Sequence, residues 1–231
     1  MKASHFVNFT TLLIAAGFAY SIHAQNPPEL LRSFVVTSVM STPREGSPYL
    51  HTTTFARAVR DDGSSVTIWT TMIGGREQYE RDIKDYRTGV STIVVDATKS
   101  VVRQSIPESE FKNRLAATTS CDGTPTGEIL GISVNYTEIK RSITGGEQGE
   151  ITAQIKSWAA PELGCLVLQE ETIWTRDSDG FVLVNTKVTP ISVSFRPVDE
   201  FFDIPTSYAA RTKEEVLGQL NQLLSTTVGV P

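Results

Sequence analysis

The feature that most constrains this fold is the stretch of residues 131–196, where strand patterns follow one another with little interruption. It contains three strand-like runs, separated by hairpin-type connections at residues 144–149 (TGGEQG) and 177–180 (DSDG). Such a succession predicts an antiparallel meander, and earlier strands then add to its edge. Pro190 interrupts the last run, which predicts a sheet edge or a bulge there.

Two runs of the meander alternate apolar and polar residues. A period of two is typical of strands with one buried face and one solvated face. The apolar residues are Ile132, Val134 and Tyr136 in the first run, and Ile151, Ala153 and Ile155 in the second.

The first half of the chain also favours strands. Residues 61–64 (DDGS) separate two β-prone runs, and Asp-Gly at such a point is a strong hairpin signal. For the highly charged residues 76–87 we favour a strand over a helix. The predicted strands are residues 33–40, 52–60, 65–73, 76–87, 91–96 and 101–106.

Two segments have helical patterns. Pro107 opens the first, where Phe111 and Leu115 are four residues apart, and a loop over residues 118–128 follows. The second covers residues 212–226 and begins with a capping box made by Thr212 and Glu215. Its apolar stripe at helical spacing predicts an amphipathic helix over the sheet. The stripe consists of Val216, Leu217, Leu220, Leu223 and Leu224.

The N-terminus has the order of a secretory signal peptide. Lys2 precedes an apolar run, and small residues end at Ala24, after which we expect cleavage. Residues 1–24 are thus a predicted signal peptide, and residues 25–231 a single, mainly β (α+β) domain with an antiparallel sheet. The chain is expected to be exported, to the periplasm or the extracellular space.

Charge and hydropathy exclude several partners. Without residues 1–24 the chain has 20 basic and 26 acidic residues, a formal charge of −6. An acidic chain with no basic run is a poor ligand for nucleic acid. No later apolar run is long enough to predict a transmembrane segment in the mature chain.

The two cysteines, Cys121 and Cys165, are an even count in a chain predicted to be exported. An oxidising compartment favours a disulfide between them, and two buried thiols are the alternative.

No catalytic constellation is present in the sequence. His51 is the only histidine after the predicted signal peptide, and the chain has no Gly-x-Ser-x-Gly elbow and no metal-ligand spacing. Glu170 and Glu171 are adjacent in a strand, so their carboxylates point to opposite faces. We therefore predict a protein that is not an enzyme and has no cofactor and no metal.

Two short motifs carry a resemblance. Residues 158–165 (WAAPELGC) precede a strand, and residues 202–208 (FDIPTSY) have the form F-x-[IV]-P-x-x-Y. Together they resemble the second half of a group of exported bacterial proteins of unknown function, which is similar to the periplasmic lipoprotein-carrier superfamily. The resemblance covers about residues 131–208. It implies a strongly curved antiparallel sheet, a half barrel, with helices in its concavity, and it carries over no functional residue.

These observations predict an exported, non-catalytic protein that binds or carries a lipid or another apolar molecule in the concavity of a curved sheet. An envelope protein is a further candidate partner. The alternatives are a structural or interaction domain without a small ligand, and a carboxylate-based hydrolase of extracellular polymers. The candidate binding residues are Ile132, Val134, Tyr136, Ile151, Ala153, Ile155, Leu217, Leu220 and Leu224.

Overall fold

The computed structural model describes residues 31–43, 50–73, 76–111, 114–116, 120–144 and 149–228. Within these residues, twelve strands form one large, curved, open sheet. The predicted signal peptide, residues 1–24, lies outside the described residues. The mainly β fold class predicted from the sequence is confirmed.

The elements of the described residues follow the chain in this order. The strands are β1 (Phe34–Pro43), β2 (Leu50–Val59), β3 (Ser65–Ile73), β4 (Arg76–Asp85), β5 (Val90–Val95), β6 (Ser100–Ser105), β7 (Thr124–Ile129), β8 (Ile132–Thr144), β9 (Glu150–Ala160), β10 (Leu166–Arg176), β11 (Val182–Phe195) and β12 (Ala209–Ala210). The α-helices are α1 (Glu108–Phe111) and α2 (Lys213–Val228).

The strand order is β12-β6-β5-β4-β3-β2-β1-β11-β10-β9-β8-β7. All neighbours are antiparallel except β12, which is parallel to β6. The central pair is β1 with β11, where Phe34 lies opposite Phe195. The earlier strands thus add to the edge of the meander, as the sequence predicts.

Pro190 lies at a bulge. The β1–β11 register shifts between Thr37 and Ser38, so that Thr37 pairs with Ser192 while Ser38 pairs with Pro190. Proline has no N–H to give to a ladder, and a bulge removes the need for one. The predicted interruption is confirmed, although β11 is a central strand.

Two parts of the sequence interpretation are wrong. The middle run of the meander is two strands, β9 and β10, because a short 3-10 helix, Pro161–Leu163, and Gly164 with φ +68° reverse the chain. The predicted loop over residues 118–128 contains most of β7, which pairs with β8 through a bulge between Pro125 and Gly127. Proline and glycine mark loops in a sequence, and here they mark an edge strand instead.

The first helix is shorter than predicted. It ends at Phe111, so Leu115 lies outside it and packs instead against a core cluster around Phe34. Glu110 of this helix accepts a hydrogen bond from Lys84 Nζ at 2.7 Å, which attaches α1 to β4.

Two hydrophobic clusters stabilise the sheet. The first is built around Phe34, Val59, Leu163 and Leu168, all buried, at the end of the sheet where β9 turns into β10. The second lies on the side of Val35, where Val198 and Phe202 from the segment after β11 cover strands β1 to β6. The C-terminal part of the chain therefore covers one side of the first half of the sheet.

Helix α2 begins as predicted. Thr212 N–H donates to Glu215 Oε2 at 2.8 Å, and Glu215 N–H donates to Thr212 Oγ1 at 3.2 Å, which completes the capping box. The position of the helix differs from the prediction. It packs beside the 3-10 helix Asp96–Thr98, next to the β6 edge, and not over the meander.

Cys121 and Cys165 form a disulfide, with their Cα atoms 5.5 Å apart. The bond joins the segment before β7 to the turn between β9 and β10. The same contact is reinforced by Asn135, whose Nδ2 donates to the Cys121 carbonyl at 2.8 Å. The predicted pairing is confirmed.

The double variant Cys121→Ser/Cys165→Ser should be less stable to urea. The bond closes a loop with a sequence separation of 44, so its loss costs about 4 kcal/mol of chain entropy. Equilibrium unfolding followed by tryptophan fluorescence measures the difference, and wild type in reductant is the control. Equal midpoints for the variant and the oxidised wild type would contradict the structural role of the bond.

The side chains of Val216 and Leu217 differ in burial, although both belong to the predicted apolar stripe. Val216 is 5% exposed and Leu217 is 43% exposed. Val216→Asp should lower the free energy of unfolding by several kcal/mol because it buries a charge without a partner. Leu217→Asp, the matched control, should change it by less than about 0.5 kcal/mol. Thermal melting of both variants measures the two changes in stability. Similar losses of stability in the two variants would contradict the difference in burial between Val216 and Leu217.

Candidate functional site

The register of the sheet defines one continuous surface. Directly paired residues on neighbouring strands project from the same side, so their pairings trace a face across β1 to β6 and β8 to β11. We call it the Arg57 face. One row consists of Val36, Arg57, Thr67, Asp82, Ile93 and Val102. A second row consists of Thr53, Met40, Val188, Glu170 and Ser157.

The Arg57 face spans both halves of the sheet. Arg57 on β2 and Glu170 on β10 interact electrostatically, although β1 and β11 lie between them.

The part of the Arg57 face on β8 to β11 carries apolar side chains beside two arginines, Arg141 opposite Ala153 and Arg176 opposite Ile151. Ala153 is 1% exposed and Ile151 is 6% exposed, yet neither belongs to a core cluster of the described residues. On the opposite side of the same strands, Glu171 accepts a hydrogen bond from Lys187 Nζ at 2.8 Å in an exposed ion pair. The inner apolar patch consists of Ile139, Ile151, Ala153, Ile155, Trp174 and Val184.

The part of the face on β2 to β4 is charged. Burial lowers the pKa of Arg57, and the nearby carboxylates of Asp82 and Glu170 oppose that shift. Burial raises the pKa of Glu170, against a hydrogen bond from Thr172 Oγ1 at 3.1 Å and the charge of Arg57. Burial likewise raises the pKa of Asp82. One guanidinium therefore lies among carboxylates that are partly removed from water.

Glu80 adds a further carboxylate beside an aromatic pair. Burial raises its pKa, and repulsion from Asp82 raises it further. Glu80 pairs across the strands with Trp69, whose ring lies 4.6 Å from that of Phe55, centroid to centroid. Lys84, which has the same parity on β4, and Arg57 both oppose the rise in the pKa of Asp82, so two cations face the three acids of this region.

The structure separates the two sets of candidate residues from the meander. Tyr136 lies opposite Trp158, whereas Ile155 lies opposite Ile139. Trp158 and Ile155 are three residues apart on β9, so they point to opposite faces. The prediction that both sets line one face is therefore wrong. Ile151, Ala153 and Ile155 lie on the Arg57 face; Ile132, Val134 and Tyr136 lie on the other side of β8.

Ile132 and Val134 are core residues of the cluster around Phe34, where both are buried. Tyr136 stacks against Trp158 at 5.1 Å between centroids, and its hydroxyl donates to Glu138 Oε2 at 2.9 Å. These contacts are within the protein itself, so they account for the three side chains without a ligand.

The candidate residues of α2 are not near the inner apolar patch. The described contacts of this helix are at the β6 edge, which is far from β8 and β9 in the strand order. Leu217 is exposed and Leu220 is half-buried there; the side chain of Leu224 lies outside the described part of the chain.

Sequence reasoning missed Arg57, Glu80 and Asp82. They lie in strands that were predicted, and period-two alternation was the available signal. Ala58 and Ile83 are apolar neighbours that point to the covered side, so Arg57 and Asp82 must point to the other. What alternation does not reveal is that residues of both halves of the sheet share this second side.

Two negative findings apply to the described ranges alone. In them, no group of three or more histidine, cysteine or acidic side chains is placed to hold a metal ion. Also within these ranges, no helix has the length and apolar character needed to cross a bilayer.

Comparisons with known proteins give structural neighbours only. No protein-family model matches the chain, and no curated protein matches it. A structure of PNGF-II is similar over 84% of this chain, with 11% identity and a TM-score of 0.44; the chain spans about a third (33%) of that protein's length.

LolA superfamily structures are among the neighbours. The LolA superfamily protein NE2245 from Nitrosomonas europaea matches 74% of this chain and 90% of its own, with 10% identity and a TM-score of 0.34. An outer membrane lipoprotein-sorting protein domain from Vibrio parahaemolyticus matches 73% and 88%, with 11% identity and a TM-score of 0.32. The resemblance found in the sequence is confirmed. At TM-scores below 0.5 it carries no argument about function.

Glu80→Gln should stabilise the protein at neutral pH. The pKa of Glu80 is higher in the folded than in the unfolded chain, so the ionised carboxylate opposes folding above that pKa and ceases to do so as pH falls through it. We expect the melting temperature to rise by about 2 °C at pH 7 and to match wild type near pH 4.

Glu128→Gln, which changes an exposed carboxylate on β7, is the matched control and should leave the melting temperature at pH 7 unchanged. Thermal melts at several pH values measure both. A lower melting temperature for Glu80→Gln at pH 7, or a gain that persists in acid, would contradict the assignment.

Proposed function

We propose that this chain is an exported, non-catalytic protein that binds a lipid or another amphiphilic molecule on the Arg57 face. The observation that carries the proposal is the inner apolar patch, whose residues belong to neither core cluster of the described residues. Apolar side chains next to polar groups suit a molecule with both characters.

The division of the face supports an amphiphile rather than a purely apolar ligand. Apolar side chains such as Ala153 and Ile155 lie on β9, whereas Arg57 and Asp82 lie on β2 and β4. An acyl chain would contact the first region, and a polar headgroup would lie toward the second. Trp174 Nε1 is buried in the patch and has no hydrogen-bond partner in the described part of the chain, so an acceptor on the ligand would satisfy it.

Export is part of the proposal. The disulfide between Cys121 and Cys165 suits an oxidising compartment, and the sequence of residues 1–24 has the order of a signal peptide. An envelope protein that receives the bound molecule is a further proposed partner.

A carboxylate-based hydrolase is the second candidate. It is favoured by one observation, the presence of Glu80, Asp82 and Glu170 on the same face with raised pKa values. Two of these acids have a simpler role. Asp82 and Glu170 neutralise the charge of Arg57, which is partly removed from water. We therefore favour binding over hydrolysis.

Delipidated protein should bind a fluorescent fatty acid saturably, and Ala153→Arg should weaken that binding by about tenfold or more by filling the inner apolar patch with a charged side chain. Thr152→Arg is the matched control, because Thr152 is the next residue on β9 and lies on the opposite face. Fluorescence titration measures both variants.

Ile139→Asn provides a second variant in case Ala153→Arg does not fold, since Ile139 is only half-buried. Native mass spectrometry of the purified protein should also detect a co-purified apolar molecule. Absence of saturable binding, or equal losses in Thr152→Arg and Ala153→Arg, would reject the proposal. Hydrolysis of a glycan substrate that is abolished by Asp82→Asn would favour the second candidate.

A further inference from the structure

Two aromatic rings and a carboxylate form one row on the Arg57 face. Phe55 on β2 pairs directly with Trp69 on β3, and Trp69 pairs directly with Glu80 on β4. Directly paired residues have Cβ atoms about 5 Å apart on the same side of a sheet, so the three side chains are neighbours. All three are half-buried, so each keeps part of its surface open to solvent.

The two faces of the Trp69 ring have different neighbours. The ring centroid lies 4.6 Å from that of Phe55 with the planes tilted by 31°, so Phe55 covers one face of the indole. Because β2 and β4 lie on opposite sides of β3, Glu80 is on the side of Trp69 away from Phe55. Among the described residues, no cation lies over this indole. The second face of Trp69 is therefore available to a ligand, and a carboxylate lies beside it.

Glu80 has no partner that would explain its position. Within the described ranges its carboxylate forms neither a hydrogen bond nor an ion pair. Burial raises its pKa, and the charged neighbour that acts on it is Asp82, another acid, which raises the pKa further. A partly desolvated carboxylate beside a like charge opposes folding. A bound cation would remove that unfavourable interaction.

The charge of this region stays negative when the partners of its cations are counted. Arg57 interacts with the carboxylates of Asp82 and Glu170. Lys84 Nζ donates to Glu110 Oε2 at 2.7 Å, so this acid neutralises the second cation. The described charged side chains are four acids, Glu80, Asp82, Glu110 and Glu170, and two cations, Arg57 and Lys84, a difference of −2.

We propose that the row of Phe55, Trp69 and Glu80 binds a quaternary ammonium group, with the cation over the indole of Trp69 and Glu80 as its counter-ion. The face of an aromatic ring attracts a cation within about 6 Å of its centre, and tryptophan attracts it best. A quaternary ammonium group has no N–H to donate, so an aromatic face and a nearby negative charge are the contacts that recognise it. The proposed amphiphile site leaves the charge of the headgroup open, and this inference does not depend on the inner apolar patch.

Titration calorimetry with choline chloride, against sodium chloride at the same ionic strength, tests the site. Wild type should bind choline saturably, and Glu80→Gln should bind it about tenfold more weakly because the counter-ion is lost. Glu77→Gln is the matched control. Glu77 is an exposed acid three residues away on β4, so it lies on the opposite face, and its loss should leave the affinity unchanged.

A loss of choline affinity in Glu80→Gln is not an effect of unfolding, because this variant is expected to be more stable than wild type at pH 7. Trp69→Leu should also lose about tenfold in affinity, and Trp69→Phe, which keeps a smaller aromatic face, should be intermediate. Ethanolamine, whose primary ammonium is more strongly hydrated, should bind more weakly than choline. Equal affinities for ethanolamine and choline would overturn the proposal, because aromatic recognition would then be absent.

Dodecylphosphocholine, used below its micelle concentration, separates two sources of the quaternary ammonium group. An affinity at least about tenfold higher than that of choline would identify the headgroup of a lipid, and equal affinities would identify a free solute. The proposal is rejected if neither compound binds saturably, or if Glu77→Gln loses as much affinity as Glu80→Gln.

The experiment also separates this site from the inner apolar patch. Ala153→Arg should leave the affinity for choline unchanged, since Ala153 is on β9 and the row lies on β2 to β4. Glu80→Gln should not weaken the binding of a fatty acid, because a carboxylate headgroup gains nothing from a second carboxylate. Saturable binding of a fatty acid without binding of choline would therefore reject the ammonium site alone.

Discussion

The pairing of β1 with β11 is the interaction on which the remaining structure depends. Strands β2 to β6 continue the sheet from β1, and β7 to β10 continue it from β11. The pair joins the beginning of the described chain to its last long strand, with Phe34 opposite Phe195. Such a contact closes a long loop, which costs conformational entropy. Burial of apolar side chains must compensate for that cost. The cluster around Phe34 and Leu163 supplies that burial at the junction.

The same pairing creates the chemistry of the Arg57 face. It places Arg57 of the first half of the sheet within electrostatic range of Glu170 from the second half. Removing charges from water opposes folding unless partners compensate, so a half-buried guanidinium among carboxylates is weak evidence for added stability. An apolar alternative of similar volume would serve packing as well. The presence of charged side chains beside apolar ones therefore supports the proposed binding of an amphiphilic molecule.

Local sequence patterns predicted most of the strands and the capped C-terminal helix, because alternation, turn residues and capping act over a few residues. They also predicted the cysteine pair, from its count and the expected compartment. Register could not be predicted, because a shift of one residue reverses the side that each residue faces. For that reason Tyr136 and Ile155 were assigned to one face and lie on opposite faces. The packing position of α2 could not be predicted either, because it depends on contacts between residues far apart in the sequence. Val216 is buried, while Leu217 on the same stripe is exposed.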